Sequence, residues 1–467
     1  MGVLVLLAAG LAWPLAGRAD GSAPAAAAGG NVTTPAAAAP AGGNATVAGG
    51  NGTAAASASG GNATTTAPAA LSFWKQPYLT GNWGGERDRL NNDGFMPFMN
   101  WTGEMWGNAN GGIQTGMTQD MLLTWGFGLD LQKIAGWNGV TANATFYWYQ
   151  GQTPDTNVGA YNSPTSYDAA NMVRVFTLYL MKQWLNGRLA VKAGWLTADD
   201  TFFQTQSAAL FLNAGITAPP SLYGQTLANG DFAVPQYPVA TPGVWASYQT
   251  LDQRWNFYGA VYDGDSGPNV SHYHGLGVRT GESVLALGEA DWHYTVGGTA
   301  GVLKAGGYYS GGSFTDWSTH QAQSGIEGAY GMVDQVLWQK KAADGTVQPV
   351  LSAYGYAGWA GPQDRVIPQT TYSAGLDWYA PLPSRPSDVA GVAVLYTGFS
   401  RAYTASPFNP LGAGEMTAAE TDLEFTYQAA ITPWFSVQPD AQVIFNPALA
   451  KTRATATVVG VRAVVTF

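Results

Sequence analysis

From residue 95 onward the chain alternates between apolar and polar positions. Leu123, Trp125, Phe127, Leu129 and Leu131 occupy every second position, with Thr124, Gly126, Gly128, Asp130 and Gln132 between them. Leu423, Phe425, Tyr427 and Ala429 interleave with Asp422, Glu424, Thr426 and Gln428 in the same way. So do Phe435, Val437, Ala441, Val443 and Phe445 with Ser436, Gln438, Asp440 and Gln442. Period two with one apolar face predicts strands. In a soluble sandwich the polar face would be rich in Lys and Glu. Here it carries Gly, amides and isolated charges, which suits the wet interior of a transmembrane barrel.

Runs of this kind, bounded by turn residues, fall at 97–106, 121–132, 142–150, 171–181, 188–196, 243–250, 254–262, 284–294, 301–309, 328–338, 350–360, 372–380, 389–399, 420–431, 434–446 and 455–467. The pattern predicts an all-β fold, a sixteen-stranded antiparallel transmembrane β-barrel, an even count as bacterial barrels require. Connections after odd strands average roughly 20 residues and those after even strands roughly 6, the asymmetry of long outer loops and short periplasmic turns. Both chain ends are then periplasmic. A barrel of about sixteen strands leaves an aqueous channel, whereas about eight fill with side chains. The last strand ends on Phe467, with Val465, Ala463, Val461 and Val459 on one face and Arg462 on the other. Such a terminus resembles the signal that the barrel assembly machinery reads in outer-membrane proteins.

The longest connection, 197–242, far exceeds the roughly 12–15 residues usual for a loop without a function. It holds Asp199, Asp200, Phe202, Phe203, Phe211, Leu212, Asn213 and Tyr223, too apolar for a free surface loop. We expect it to fold into the barrel and narrow the pore, with Asp199, Asp200, Phe211 and Asn213 at the constriction.

Composition narrows the class further. Charged residues are 11% of the 467, against about 25% in a typical soluble domain. Aromatics reach 13% and Gly numbers 61, as a lipid-facing barrel with many turns requires. The absence of cysteine excludes disulfide scaffolds and thiol chemistry, and a net charge of −10 argues against nucleic acid as a partner. No Gly-x-Ser-x-Gly elbow, phosphate loop or His-Glu-x-x-His motif is present, so no enzyme is expected, nor any cofactor or metal. The His272-x-His274 pair falls in an outer loop.

The leading residues precede the barrel. Residues 1–19, with the apolar run Val3–Ala12 and Gly17-Arg18-Ala19 before Asp20, read as a secretory signal peptide. Residues 20–70 are low in complexity, with Gly-Gly-Asn-x-Thr units at 29–33, 42–46, 49–53 and 60–64, and read as a disordered linker. Residues 71–96 form an N-terminal periplasmic segment, in which 81–94 suits a short helix stopped by Gly94.

By alternation the lumen candidates are Glu104, Asp130, Arg188, Lys192, Arg254, Glu289, Asp291, Lys304, Asp422, Glu424, Trp434, Gln438, Asp440 and Arg462. Arg174 is ambiguous, because Phe176 and Leu178 share its parity. Trp101, Trp125 and Trp255 fall on the apolar face and belong to interfacial girdles against the outer-membrane lipids.

Several stretches carry a resemblance. Leu79-Thr80-Gly81-Asn82-Trp83-Gly84-Gly85-Glu86-Arg87, Thr102-Gly103-Glu104, Leu210-Phe211-Leu212-Asn213, Tyr237–Gly243, Asp263-Gly264-Asp265, Leu382–Asp388 and Val437–Pro447 stand in one order across residues 73–467. Together they resemble the carbohydrate-selective porin OprB family of Gram-negative outer membranes. The resemblance implies a sixteen-stranded pore for glucose and related mono- or oligosaccharides, with a constriction ring of Arg and acidic residues and Trp nearby. The tract at 20–70 lies outside it. The residues themselves leave other readings open: a general porin, a structural or secretion barrel using 20–70 as a tether, or a secreted glycan-binding sandwich.

Overall fold

In a computed structural model of the protein, the structure describes residues 72–265, 274–278, 283–341 and 347–467. The signal-peptide and linker segments, and His272, lie outside these. Among the described residues the strands are β1 Phe95–Asn110, β2 Gly116–Asp130, β3 Val140–Gly151, β4 Met172–Trp184, β5 Leu189–Leu196, β6 Thr241–Gln249, β7 Trp255–Asp263, β8 Val284–Val296, β9 Thr299–Thr315, β10 Ala322–Lys341, β11 Val347–Gly361, β12 Pro368–Tyr379, β13 Val389–Phe399, β14 Ala419–Thr432, β15 Phe435–Phe445 and β16 Ala456–Thr466. Each pairs with its chain neighbours, and β1 closes on β16 to make a barrel. Every pairing is antiparallel, the closing one running from Asn100↔Thr466 to Glu104↔Arg462 and beyond.

Burial follows the alternation. Thr102, Glu104, Trp106 and Asn108 are buried along β1, while Met105 between them is half exposed. Glu420, Asp422, Glu424 and Thr426 are buried along β14, while Phe425 faces out. Lipid takes the place of a core around the outside, so large side chains point there. Trp125 stacks on Phe146 at 5.6 Å and Trp255 on Trp292 at 6.1 Å, across neighbouring strands of that outer face.

The two ends of the barrel differ. At one end the strands are joined by short turns, such as 185–188, 250–254 and 433–434. The Gly297-Gly298 turn between β8 and β9 has φ of 59° and 85°, the left-handed pair that a two-residue hairpin needs. The first described segment, from Ser72, and the C-terminal Phe467 lie here. Leu79 N–H donates to the Thr466 carbonyl at 2.8 Å, and Phe467 N–H to that of Met99 at 2.9 Å. Helix α1, Glu86–Asn92, fills half of the expected helical stretch and ends before Gly94, whose φ is 95°. Arg87 lies between the rings of Tyr78 and Trp83, at 4.0 and 4.2 Å. The long connections 152–171, 197–240 and 400–418 all leave the opposite end.

Candidate functional site: a constriction built by two loops

The interior of the barrel is occupied by chain. Loop 197–240 runs inward from β5, with Phe202, Phe203, Phe211, Leu212, Asn213, Ile216 and Leu222 buried against the far wall. Phe203 meets Tyr330 of β10 at 5.1 Å, and Phe211 meets Tyr354 of β11 at 5.8 Å. The short helices α2 Leu131–Ala135 and α3 Asp155–Val158 precede this loop in the chain. Within it Asn213 caps the next one, α4 Ala214–Thr217, accepting from Gly215 N–H and Ile216 N–H.

Wall carboxylates hold the loop by its backbone. Glu424 accepts Leu212 N–H at 2.6 Å and Asn213 N–H at 3.0 Å. Asp334 of β10 accepts Gln206 N–H at 2.8 Å and Ser207 N–H at 3.0 Å. Thr371 of β12 accepts Ser221 N–H at 2.9 Å, and Gln438 donates to the Leu210 carbonyl at 2.7 Å. A loop that turns inward brings unpaired N–H groups with it. Acceptors projecting from the wall satisfy them where water cannot.

Loop 152–171 folds in beside it by the same device. Glu420 accepts both Tyr161 N–H and Asn162 N–H at 2.8 Å, and the Asn162 amide reaches Asp422 at 3.1 Å. Gln442 of β15 joins the two loops, donating to the Pro164 carbonyl at 2.8 Å and accepting from the Asn213 amide at 3.1 Å. Arg462 of β16 ion-pairs through Nε with Glu104, which also accepts from Trp106 Nε1 at 2.9 Å. Its Nη2 donates to the Thr165 hydroxyl at 3.2 Å, and the guanidinium lies 4.2 Å from the Tyr167 ring centre.

A second charged group lies at the seam between loop and wall. Lys192 Nζ of β5 stands 2.8 Å from Asp200 of the inward loop, with the Asp200 side chain 53% exposed. The ammonium lies 4.5 Å from the Trp245 ring and 5.4 Å from that of Tyr179. Further round the wall, Lys304 pairs with Asp291 at 3.2 Å. Asp199, next to the seam, accepts Tyr237 N–H at 3.1 Å. Burial pushes its carboxyl up to about 7, against hydrogen bonds from Thr197 and the Tyr237 N–H that favour the charged form.

The family model of the carbohydrate-selective porin, OprB family, matches residues 114–467. The chain belongs to the OprB family. It is a carbohydrate-selective outer-membrane porin and not an enzyme. A curated relative, the putative porin QuiX of Acinetobacter baylyi, is 23% identical over 418 residues, covering 81% of this chain and 91% of its own. The high-pH structure of Pseudomonas putida OprB is 19% identical with a TM-score of 0.74, covering 85% of this chain and 100% of that one. The low-pH structure of the same protein is 17% identical with a TM-score of 0.53, covering 84% and 99%. At these identities the structures show the shared fold.

Within this OprB-family porin, Glu104, Lys192, Asp422, Glu424, Asp440 and Arg462 project from the wall into the barrel, and Asp199, Asp200, Phe211 and Asn213 come to meet them from the loop. Four expected lumen residues stand elsewhere. Asp130 ends β2 and caps α2, accepting Gln132 N–H at 3.0 Å and Lys133 N–H at 3.3 Å. Arg188 and Arg254 lie in the turns before β5 and β7, where strand parity no longer applies, and Arg254 is exposed. Trp434 sits in the β14–β15 turn. Its Nε1 donates to the Phe73 carbonyl at 3.1 Å, and its ring packs on Phe73 and Trp74. The ambiguity at Arg174 is resolved by a register shift opposite Phe146, which turns Arg174 and Phe176 inward and Leu178 out. Trp106, Trp245 and Asp334 join the site without having been expected. All three follow from parity, since Trp106 stands two places after Glu104.

Proposed function

We propose that the porin admits neutral sugars, glucose and related mono- or oligosaccharides, by passive diffusion, and that they are read where Lys192 and Asp200 face each other. The observation that carries this is the make-up of that seam. An ammonium and a carboxylate 2.8 Å apart offer donors and acceptors to sugar hydroxyls. The Trp245 and Tyr179 rings lie against the ammonium, and a pyranose that displaces it would meet their faces with its C–H side. Asp200 is accessible, so the pair can exchange its partner for a sugar and release it, as conduction demands.

In this reading both termini lie in the periplasm, which the short turns at their end of the barrel support. Residues 1–19 act as the export signal, 20–70 as a tether and 71–96 as a periplasmic segment ahead of the barrel. Phe467 is read by the barrel assembly machinery, and the outward aromatic side chains contact outer-membrane lipid. Liposome swelling tests the proposal. Glucose is expected to enter faster than a polyol of equal size, and Lys192→Met and Trp245→Ala each to bring the two rates together. Equal rates in the wild type would leave a general porin instead.

A further inference from the structure

We infer that Arg174 marks a second binding site in the barrel, one for the carboxylate of a sugar acid such as a hexuronate or aldonate. The inference rests on the sugar-channel reading above and extends its substrate class to anions.

Among the described residues the other basic groups that ion-pair inside the barrel each have a carboxylate. Lys192 pairs with Asp200, Lys304 with Asp291 and Arg462 with Glu104. Among the described residues Arg174 makes no ion pair. It is 5% exposed, and its Nε and Nη1 find no hydrogen-bond acceptor. An inward guanidinium in this state stands out in a chain with ten more acidic than basic groups. A buried cation without a partner is unfavourable, and an anion is the group that relieves it.

The surroundings say which anion. Tyr147 lies directly across from Arg174 in the β3–β4 register and is fully buried, with no partner for its hydroxyl. The Tyr149 hydroxyl, further along the same face, also has none. Phe176 follows Arg174 on the inward face and stacks on Tyr147 at 4.2 Å, and Tyr237 closes the group at 5.5 Å from Tyr147. One guanidinium, two free hydroxyls and three ring faces suit a ligand with one negative charge, several hydroxyls and a C–H surface. A dianionic phosphate ester would need a second cation, and among the described residues none pairs with this group. Arg174 lies near the start of β4, on the loop side of Met181, which pairs with Lys192. A sugar acid entering from the loop end therefore meets Arg174 before the seam. Tyr237 is 0% exposed, so its ring must turn aside to admit the ligand.

The test uses the full-length porin in planar bilayers, with block of the ion current titrated by glucuronate and by glucose. Wild-type channels are expected to be half-blocked by glucuronate at a lower concentration than by glucose, and glucose 6-phosphate to block less well than glucuronate. Arg174→Gln is expected to raise the half-blocking concentration of glucuronate about tenfold or more and to move that of glucose less than twofold. Arg174→Lys, which keeps the charge and is milder on folding, is expected to raise the glucuronate value at least threefold, because an ammonium does not reproduce the guanidinium donors. Glucuronate block no stronger than glucose block in the wild type, or unchanged in both variants, overturns the inference. Absence of glucose block and glucose entry, with glucuronate block still dependent on Arg174, overturns the neutral-sugar reading and leaves the anion site standing.

Discussion

Glu424→Gln tests whether wall carboxylates set the width of the pore. Glu424 is 0% exposed and receives two successive backbone N–H groups of the inward loop, at 2.6 and 3.0 Å. The amide keeps the size of the side chain but has one acceptor oxygen. Its NH2 must face the remaining N–H, so one hydrogen bond is lost and one buried donor is left unpaired. A hydrogen bond contributes about 0.5–1.5 kcal/mol and a buried group left unpaired costs about 1–3 kcal/mol, so the loop around 208–217 loses about 2–4 kcal/mol of docking energy. At one factor of ten per 1.4 kcal/mol, the released population grows roughly 30- to 700-fold. Anchors at Asp334, Thr371 and Gln438 remain, so the release is local. Single-channel recording and liposome swelling with saccharides of rising size are the assays. The variant is expected to conduct more, to show more frequent open-state fluctuations and to admit larger sugars, while still migrating as a heat-modifiable barrel in detergent gels. An unchanged conductance and exclusion limit, with loop 197–240 as resistant to protease as in the wild type, would refute the reasoning.

Two further outcomes follow from the geometry. The Asp199 carboxyl, raised to about 7 by burial, favours the docked loop while protonated. That stabilisation is complete below the ordinary carboxylate value of about 4 and is lost as pH rises through about 7. Proteolysis of loop 197–240 should therefore quicken between pH 5 and pH 8 in the wild type and stay flat in Asp199→Asn. Arg462→Met strands Glu104, which is 0% exposed at its side chain, and should cost about 3–5 kcal/mol. A lowered temperature of heat modification would register it, with most of the loss recovered in the double variant Glu104→Gln, Arg462→Met.

The wall was legible in the sequence and its filling only in part. Every expected strand is present, most within a few residues of its expected bounds, because a face against lipid and a face against water impose alternation on each strand separately. Loop 197–240 was legible because Phe202, Phe203 and Phe211 have no place on a wet surface. Loop 152–171 was not. Asn162, Ser163, Thr165 and Ser166 read as an ordinary polar loop, and what draws them inward is Glu420 and Arg462, which parity alone does not match to them. Parity also misleads where a strand stops. Asp130 keeps the alternation of β2 but begins a helix, and Arg188 and Arg254 each stand one residue ahead of a strand. Trp106 was missed for the opposite reason. Tryptophan suggests a girdle, yet this one is 1% exposed and donates to Glu104 inside.

The carboxylates that hold the two loops have a bearing on biogenesis. Glu420 and Glu424 are synthesised more than 200 residues after the segments they grip. During synthesis, Asp334 of β10 and Thr371 of β12 give loop 197–240 its first anchors, but the backbone N–H groups at 161, 162, 212 and 213 must wait for Glu420 and Glu424. Both loops can be fully fastened only once the fourteenth strand has arrived. A molecule stalled before that step would be an open leak in the membrane, so premature release of such intermediates is the hazard that this late-fastened design hands to the cell.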